Sequence, residues 1–293
     1  SEDILAVHRI YIAEGFSSST VQGVERLRKE FHLWRAVLRD AKTIGTKVLA
    51  QVVITDDLQL LSRILAKPTV DKAILTMGLQ LTMPLSDSEN SLRWPIRNQV
   101  ALAFKDGRAA GVHNRRSSEE ESLLQQANLP LHAFNSIEYS PGRGSKTYAA
   151  YFDAVIKASE SKAKTLPRMQ EVVGSMQRGF IETLMNPHPV EPGWEIFHHQ
   201  LVETDTRLRL ASLQIQLRRP SAQLAVPTRL AEVGSQYFDP FTGLPMLWSP
   251  TQQKLYSVGR DRLDDGGDPT FDISVPAIIA HPQAKPVAQS VHR

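Results

Sequence analysis

Residues 31–61 read FHLWRAVLRDAKTIGTKVLAQVVITDDLQLL, and the spacing of their apolar residues decides the fold class. Apolar side chains recur every three or four positions, which is the spacing of one face of an α-helix. Two such faces follow each other here, and a third helix is predicted over residues 70–81. The first face comprises Leu27, Phe31, Trp34, Leu38 and Ala41, and the second comprises Val48, Val52, Leu58, Leu61 and Leu65 and stops near Pro68. The pattern predicts a mainly α protein.

Further signals extend the helical region. Ser86 and Glu89 have the spacing of a capping box, in which two side chains each bond the other residue's backbone N–H. Pro95 lies too far inside the following helix for its first turn, so a kink or a restart is expected there. SPGRGSKT at 140–147 reads as a loop, after which a helix restarts. A long helix is predicted over 195–219.

The character of the sequence changes after Pro220, where short apolar runs alternate with Pro, Gly and Asp. MLWS and KLYSV are typical of strands, and the short polar turn between them predicts an antiparallel hairpin. NPHPVEPG at 186–193 is the best linker candidate, since it holds three prolines and a glycine. The predicted organisation is a multi-helix domain over 1–193, a small α+β module over 194–276 and a disordered tail over 277–293.

Composition narrows the class of protein. The chain has 293 residues and a net charge of +3, so its basic excess is too small to predict nucleic-acid binding. It has no cysteine, which excludes disulfides, Cys zinc sites and thiol nucleophiles. No apolar run approaches the roughly 20 residues that span a bilayer. The first residues lack the basic and apolar regions of a signal peptide, and the chain does not begin with Met. We therefore expect an upstream signal or membrane anchor outside this sequence.

The stretch YSVGRDRLDDGGDPTFD at 256–272 is the strongest candidate site. Its glycines permit tight turns, and its carboxylates are the oxygen ligands that calcium takes in flexible loops. The candidate metal ligands are Asp261, Asp264, Asp265, Asp268 and Asp272. The spacing is not that of an EF-hand, and no Glu closes the loop. The alternative is a solvated turn whose Asp side chains bond their own backbone.

Other candidate sites are weaker. His198 and His199 lie near Glu195 and Glu203 on one predicted helix, but a zinc site needs a third ligand and an open position, so a solvated helix face is the preferred interpretation. SPGRGSKT lacks the first glycine of a phosphate loop, and no apolar strand precedes it. The sequence has neither a G-x-S-x-G nor a G-x-G-x-x-G motif. No catalytic residue and no organic cofactor is predicted.

The last third of the chain resembles the C-terminal globular part of type II secretion major pseudopilins. The resemblance covers about residues 198–275 and includes DPFTGLPMLW and KLYSVGRDRLDDGGDPTFDI. It implies a small α+β module whose loop binds structural calcium. Arg262 stands where the family usually has Gly, and residues 1–193 stand where the family has an apolar assembly helix. The matching positions are Asp239, Pro240, Gly243, Pro245, Tyr256, Ser257, Gly259, Asp261, Gly266, Gly267, Asp272 and Ile273.

The whole chain resembles uncharacterised, membrane-anchored bacterial envelope proteins in which a similar helical domain precedes the same tail. That resemblance implies a periplasmic location at the inner membrane, with protein partners in the envelope and a link to a secretion or pilus-like system. The first hypothesis is a non-enzymatic protein that acts through protein–protein interaction. One alternative is an envelope hydrolase that uses Asp56, Asp57, Glu89 and the His198–His199 pair. Another is a ligand-binding helical domain with a large apolar cavity.

Overall fold

The structure is a computed structural model that describes residues 2–107, 144–167, 172, 194–219 and 224–279. These residues form a mainly helical protein with a small three-stranded antiparallel sheet at the C-terminal end, which confirms the predicted class. The helices are α1 (Glu2–Ser18), α2 (Thr20–Asp40), α3 (Ile44–Leu65), α4 (Lys72–Leu81), α5 (Asp87–Asn90), α6 (Arg93–Gly107), α7 (Gly144–Glu160), α8 (Trp194–Gln216) and α9 (Val226–Glu232). The strands are β1 (Leu247–Ser249), β2 (Lys254–Ser257) and β3 (Ile273–Pro276).

Helices α2 and α3 begin at capped N-termini. The side chain of Ser19 accepts a hydrogen bond from Gln22 N, and that of Thr43 accepts one from Thr46 N. Each cap satisfies a backbone donor that has no partner inside the helix. Both predicted apolar faces are confirmed, except that Val52 is only partly buried; Leu27, Phe31, Leu38, Val48, Leu61 and Leu65 are almost fully buried.

The predicted capping box is confirmed at α5. The Ser86 hydroxyl accepts from Glu89 N, and the Glu89 carboxylate accepts from Ser86 N at 2.7 Å. The restart expected near Pro95 is also confirmed, because α5 ends at Asn90 and α6 begins at Arg93. The loop predicted over 140–147 is wrong at its end, since α7 already begins at Gly144.

Helix α8 lies between two hydrophobic cores. On one side, Trp194, Phe197, Leu201 and Leu208 join the core made by α2, α3 and α7. On the other side, its apolar residues join a second core that includes the sheet; these are Val202, Leu210, Leu213 and Leu217, packed with Phe241, Met246, Leu255, Ile273 and Val275. Because both cores share one helix, the helical region and the C-terminal module pack against a common element.

The sheet has the order β1–β2–β3, with both pairs antiparallel. Trp248 pairs with Leu255 in the first pair, and Leu255 pairs with Val275 in the second. The predicted hairpin is therefore confirmed, while β3 was not predicted. Its four residues follow the acidic loop directly and carry too short an apolar pattern to be read alone.

The domain boundaries drawn from the sequence remain predictions. The linker candidate at 186–193 lies outside the described residues, as does most of the tail over 277–293. At the start of that tail, Ala277 is buried and its N–H donates to the Gln253 carbonyl at 2.9 Å. None of the helices in the described ranges combines the length and apolar composition needed to cross a membrane.

Candidate functional site

The acidic loop, residues 258–272, connects β2 to β3 and holds all five predicted metal ligands. Its base is closed by Asp272, which is only 4% exposed and accepts a hydrogen bond from Gly267 N at 2.7 Å. At the other end of the base, Gly259 N donates to the Ser257 hydroxyl at 3.1 Å. The first bond closes the C-terminal part of the loop on itself just before β3, and the second ties the start of the loop to the end of β2.

Three aspartates of the loop cap their own backbone. Asp261 accepts from Leu263 N at 3.1 Å, Asp264 accepts from Gly266 N at 3.0 Å, and Asp268 accepts from Thr270 N at 2.9 Å. Each bond spans two residues, which is the pattern of an Asx turn. The hydrogen bonds from Thr270 lower the pKa of Asp268. The aspartates therefore shape the loop, as the alternative interpretation of the sequence expected.

Tyr256 supports the loop from β2. Its hydroxyl donates to Asp264 at 3.0 Å, and burial together with that carboxylate raises the pKa of Tyr256 to about 12. Gly267 has φ +86°, and a Cβ there would lie 3.3 Å from the Tyr256 ring. Gly266 has φ +70° but open space around it. Glycine is needed at both positions for the left-handed backbone, and at 267 also for the close approach to the ring.

The geometry of the acidic loop gives one observation against the predicted calcium site and one in favour of it. In the part of the chain that the structure describes, no three His, Asp or Glu side chains lie close enough together to hold a metal ion. One Asp272 oxygen, Oδ1, is nevertheless buried without a hydrogen-bond partner. Burial raises the pKa of Asp272, and the neighbouring Asp264 and Asp265 contribute in the same direction. The loop thus offers one unpaired buried carboxylate oxygen but no convergent ligand set, and calcium stays a prediction.

The loop also exposes two large apolar side chains. Leu263 is 65% exposed and Phe271 is 59% exposed. They lie among the five aspartates and two arginines of the loop, so the local charge is negative. One of those arginines, Arg260, donates to Glu203 of α8 at 2.9 Å and ties the loop to the long helix. The result is an acidic surface with two apolar side chains on a backbone that its own hydrogen bonds hold.

The preceding segment DPFTGLP forms a tight turn beneath this surface. Asp239 is buried, and its carboxylate accepts a hydrogen bond from Phe241 N at 2.9 Å. Burial raises the pKa of Asp239. Gly243 N donates to the Asp239 carbonyl at 2.7 Å, and Asp239 N donates to Leu244 O at 2.8 Å. Phe241 enters the second core as a result. The turn therefore positions apolar side chains for the second core.

The residues named for a hydrolase serve as structural links. Asp56 pairs with Arg9, and Glu89 receives a bidentate hydrogen bond from Arg35 at 2.6 and 2.8 Å. Burial lowers the pKa of His198, whose Nε2 lies 2.6 Å from the Ala163 carbonyl. His199 pairs with Glu195 at 3.0 Å. Within the described ranges, no hydrogen bond or ion pair joins these groups into one catalytic cluster.

Sequence reasoning missed two buried ionisable groups, Lys47 and His8. Lys47 is fully buried and donates to the carbonyls of Leu38 and Glu89 at 2.8 and 2.9 Å. Burial lowers the pKa of Lys47 to about 7, although Glu89 and Asp40 oppose that shift. The second group is His8, which lies between Glu30 and Asp57. In each case the available signal was a polar residue on the apolar face of a helix.

Comparisons with protein-family models, with curated proteins and with solved structures find no match. The resemblance to pseudopilins and to membrane-anchored envelope proteins therefore stays a prediction, and the geometry described above carries the functional argument.

Proposed function

We propose that this chain is a non-enzymatic, extracytoplasmic protein of the bacterial envelope that acts by binding protein partners through its acidic loop. The observation that carries the proposal is the exposure of Leu263 and Phe271 on a loop whose backbone is held by its own side chains. Large apolar and aromatic side chains are enriched at the centres of protein–protein interfaces. Their exposure on one ordered loop supports a docking surface there.

The held backbone favours binding. Asx turns at Asp261, Asp264 and Asp268 and the closure by Asp272 order the loop before any partner arrives. A preordered loop loses less conformational entropy on association than a flexible one, so more of the contact energy is retained as affinity.

The charge of the loop indicates the chemistry of the partner. Five carboxylates against two guanidinium groups leave the loop acidic, while the chain as a whole carries +3. A partner surface with an apolar pocket and a basic rim would complement it. Such contacts speed association and weaken as salt rises, because exposed charges are screened within about 10 Å at 0.1 M.

The location in the envelope, the anchor at the inner membrane and the link to a secretion or pilus-like system rest on the resemblance of the last third to pseudopilins. Calcium belongs to the same proposal as a structural ion at Asp272, where the buried unpaired oxygen supports it. In that role the ion would hold the loop in shape and would take no part in a reaction.

The test is capture of envelope proteins on the immobilised chain, with three forms compared in parallel. These are the wild type, the double variant Leu263→Ser/Phe271→Ser, and the control Leu33→Ser, which changes an exposed leucine on α2. We expect the same partner on the wild type and the control, its loss from the double variant, and weaker capture in high salt. Equal capture by all three forms would contradict the docking surface. A cytoplasmic location of the natural gene product would contradict the envelope assignment.

A further inference from the structure

His8 lies on α1 between two carboxylates from two other helices. Its Nδ1 is 3.1 Å from Glu30 Oε2 on α2, and its Nε2 is 2.9 Å from Asp57 Oδ1 on α3. We call these three residues the His8 clamp. Its bonds connect α1 to α2 and α3 near the middle of α1. Helix α1 packs mainly along α2, and we call that contact the seam.

The clamp is only partly shielded from solvent. His8 is 6% exposed and Asp57 is 3% exposed, whereas the Glu30 side chain is 20% exposed. The Trp34 indole N–H donates to the same Glu30 oxygen at 3.0 Å, and the Trp34 ring meets the imidazole edge-on with centroids 6.3 Å apart. The second Asp57 oxygen, Oδ2, is buried without a partner. Water therefore has little access to the His8–Asp57 contact, although it can reach Glu30.

The number of protons that the His8 clamp holds decides whether both contacts of His8 are hydrogen bonds. A neutral imidazole has one N–H donor and one bare nitrogen, whereas an imidazolium has two donors. Ionised carboxylates only accept. With Glu30 on one side and Asp57 on the other, both contacts are hydrogen bonds only when the clamp holds one additional proton, on the ring or on a carboxyl group. Without it, a buried carboxylate faces a nitrogen lone pair.

We propose that the His8 clamp is a proton-operated latch that holds α1 against α2 and α3 and releases it when the proton is lost. The charged groups that face His8 are Glu30 from α2 and Asp57 from α3. The neighbouring Asp56 is paired with Arg9 of α1. After loss of the proton, the two carboxylates of the clamp remain without a positive partner in it. The unbalanced negative charge then acts to separate the helices.

The direction of the pH response follows from the pKa shifts. Burial alone would lower the pKa of His8, but the hydrogen bonds and charges of Asp57 and Glu30 outweigh it and the pKa is raised. Burial also raises the pKa of Asp57. Both shifts mean that the folded clamp binds a proton more tightly than the unfolded chain does. The clamp therefore stabilises the fold fully at pH values below the ordinary His pKa, and this stabilisation is lost as pH rises through the raised pKa of His8.

Release would uncover apolar surface on both sides of the seam. Leu5 and Ile12 of α1 are buried in the folded protein, and Phe31 and Trp34 of α2 belong to the same core as Leu5. The latch therefore couples proton loss to the display of a hydrophobic helix face. This inference is independent of the acidic loop and of the partner proposed for it.

Hydrogen exchange on the intact chain at about pH 6 and about pH 9 tests the latch, with intrinsic exchange rates corrected for pH. We expect α1 to lose protection at the higher pH while α8 stays protected. The opening equilibrium should change about tenfold for each unit by which the folded-state pKa of His8 exceeds its unfolded value. Unchanged protection of α1, or equal loss in α1 and α8, would overturn the proposal.

A matched pair of variants separates the latch from a general effect of pH. Asp57→Asn places an amide beside His8, and an amide can accept from an N–H or donate to a bare nitrogen, so α1 should stay protected at both pH values. His32→Gln changes an exposed histidine on α2 and should leave the wild-type response intact. If Asp57→Asn does not fold, ¹⁵N shifts of the His8 ring and ¹³C shifts of the Asp57 and Glu30 carboxyl groups in the wild type decide: a neutral ring between two ionised carboxylates at about pH 6 rejects the latch.

Discussion

The two cores on either side of α8 are built by different means. The larger core is formed by helices that meet through apolar stripes, such as Phe31 on α2 and Leu61 on α3. The smaller core lies under three strands of three or four residues each, and turns with special backbone conformations hold it in place. Side-chain volume dominates the first, and backbone geometry dominates the second. Substitutions should therefore lower the stability of the larger core through lost side-chain contacts and that of the smaller core through strained turns.

The largest effect is expected where the two sides meet. Asp205 of α8 is buried, pairs with Arg209 at 2.7 Å and accepts from Leu85 N at 2.6 Å, while Arg209 donates to the Phe238 carbonyl at 2.7 Å. Asp205→Ala leaves a buried guanidinium without its carboxylate, which costs about 3–5 kcal/mol of unfolding free energy. Urea denaturation measures this cost.

An exposed pair supplies the control for that prediction. Asp40→Asn removes the charge that pairs with Arg39 on the surface at the end of α2 and should leave the urea midpoint unchanged. A second transition in the urea curve of Asp205→Ala would show that α8 no longer couples the two cores. If Asp205→Ala loses as little unfolding free energy as Asp40→Asn, the coupling is refuted.

A smaller effect is expected from the backbone of the acidic loop. Gly266→Ala forces a side chain into the left-handed region and should cost about 1–2 kcal/mol. Gly267→Ala carries the same strain and also crowds Tyr256 at 3.3 Å, so about 2–3 kcal/mol is expected. Urea midpoints of the two variants measure the difference. Equal midpoints would show that the Tyr256 contact gives way without cost.

The smallest effect is expected from calcium. A ligand that binds only the folded chain raises its stability by about 1.4 kcal/mol at ten times the dissociation constant. Thermal melts with calcium, with magnesium and with EDTA measure the change, and Asp272→Asn should abolish it. If millimolar calcium does not raise the midpoint of thermal unfolding of the wild type, the loop is a polar turn and the calcium proposal is wrong.

Sequence reasoning succeeded where one periodic signal decides a structure. The faces of α2 and α3, the Ser86–Glu89 capping box and the β1–β2 hairpin all depend on neighbours a few residues apart. It failed for β3, because four residues pair with β2 only after the loop brings them back. It also did not foresee α1 carrying a buried histidine, since the partners of His8 lie 22 and 49 residues away.

By itself the sequence determined the helical class, the caps and the hairpin, because spacing along the chain specifies which residues share a face. The tertiary structure alone decided that α8 would serve two cores and that Leu263 and Phe271 would stay exposed. It also decided that His8 would lie between two carboxylates. Those outcomes depend on burial and on charges from distant elements, which set the energy of a polar group only once the chain has folded.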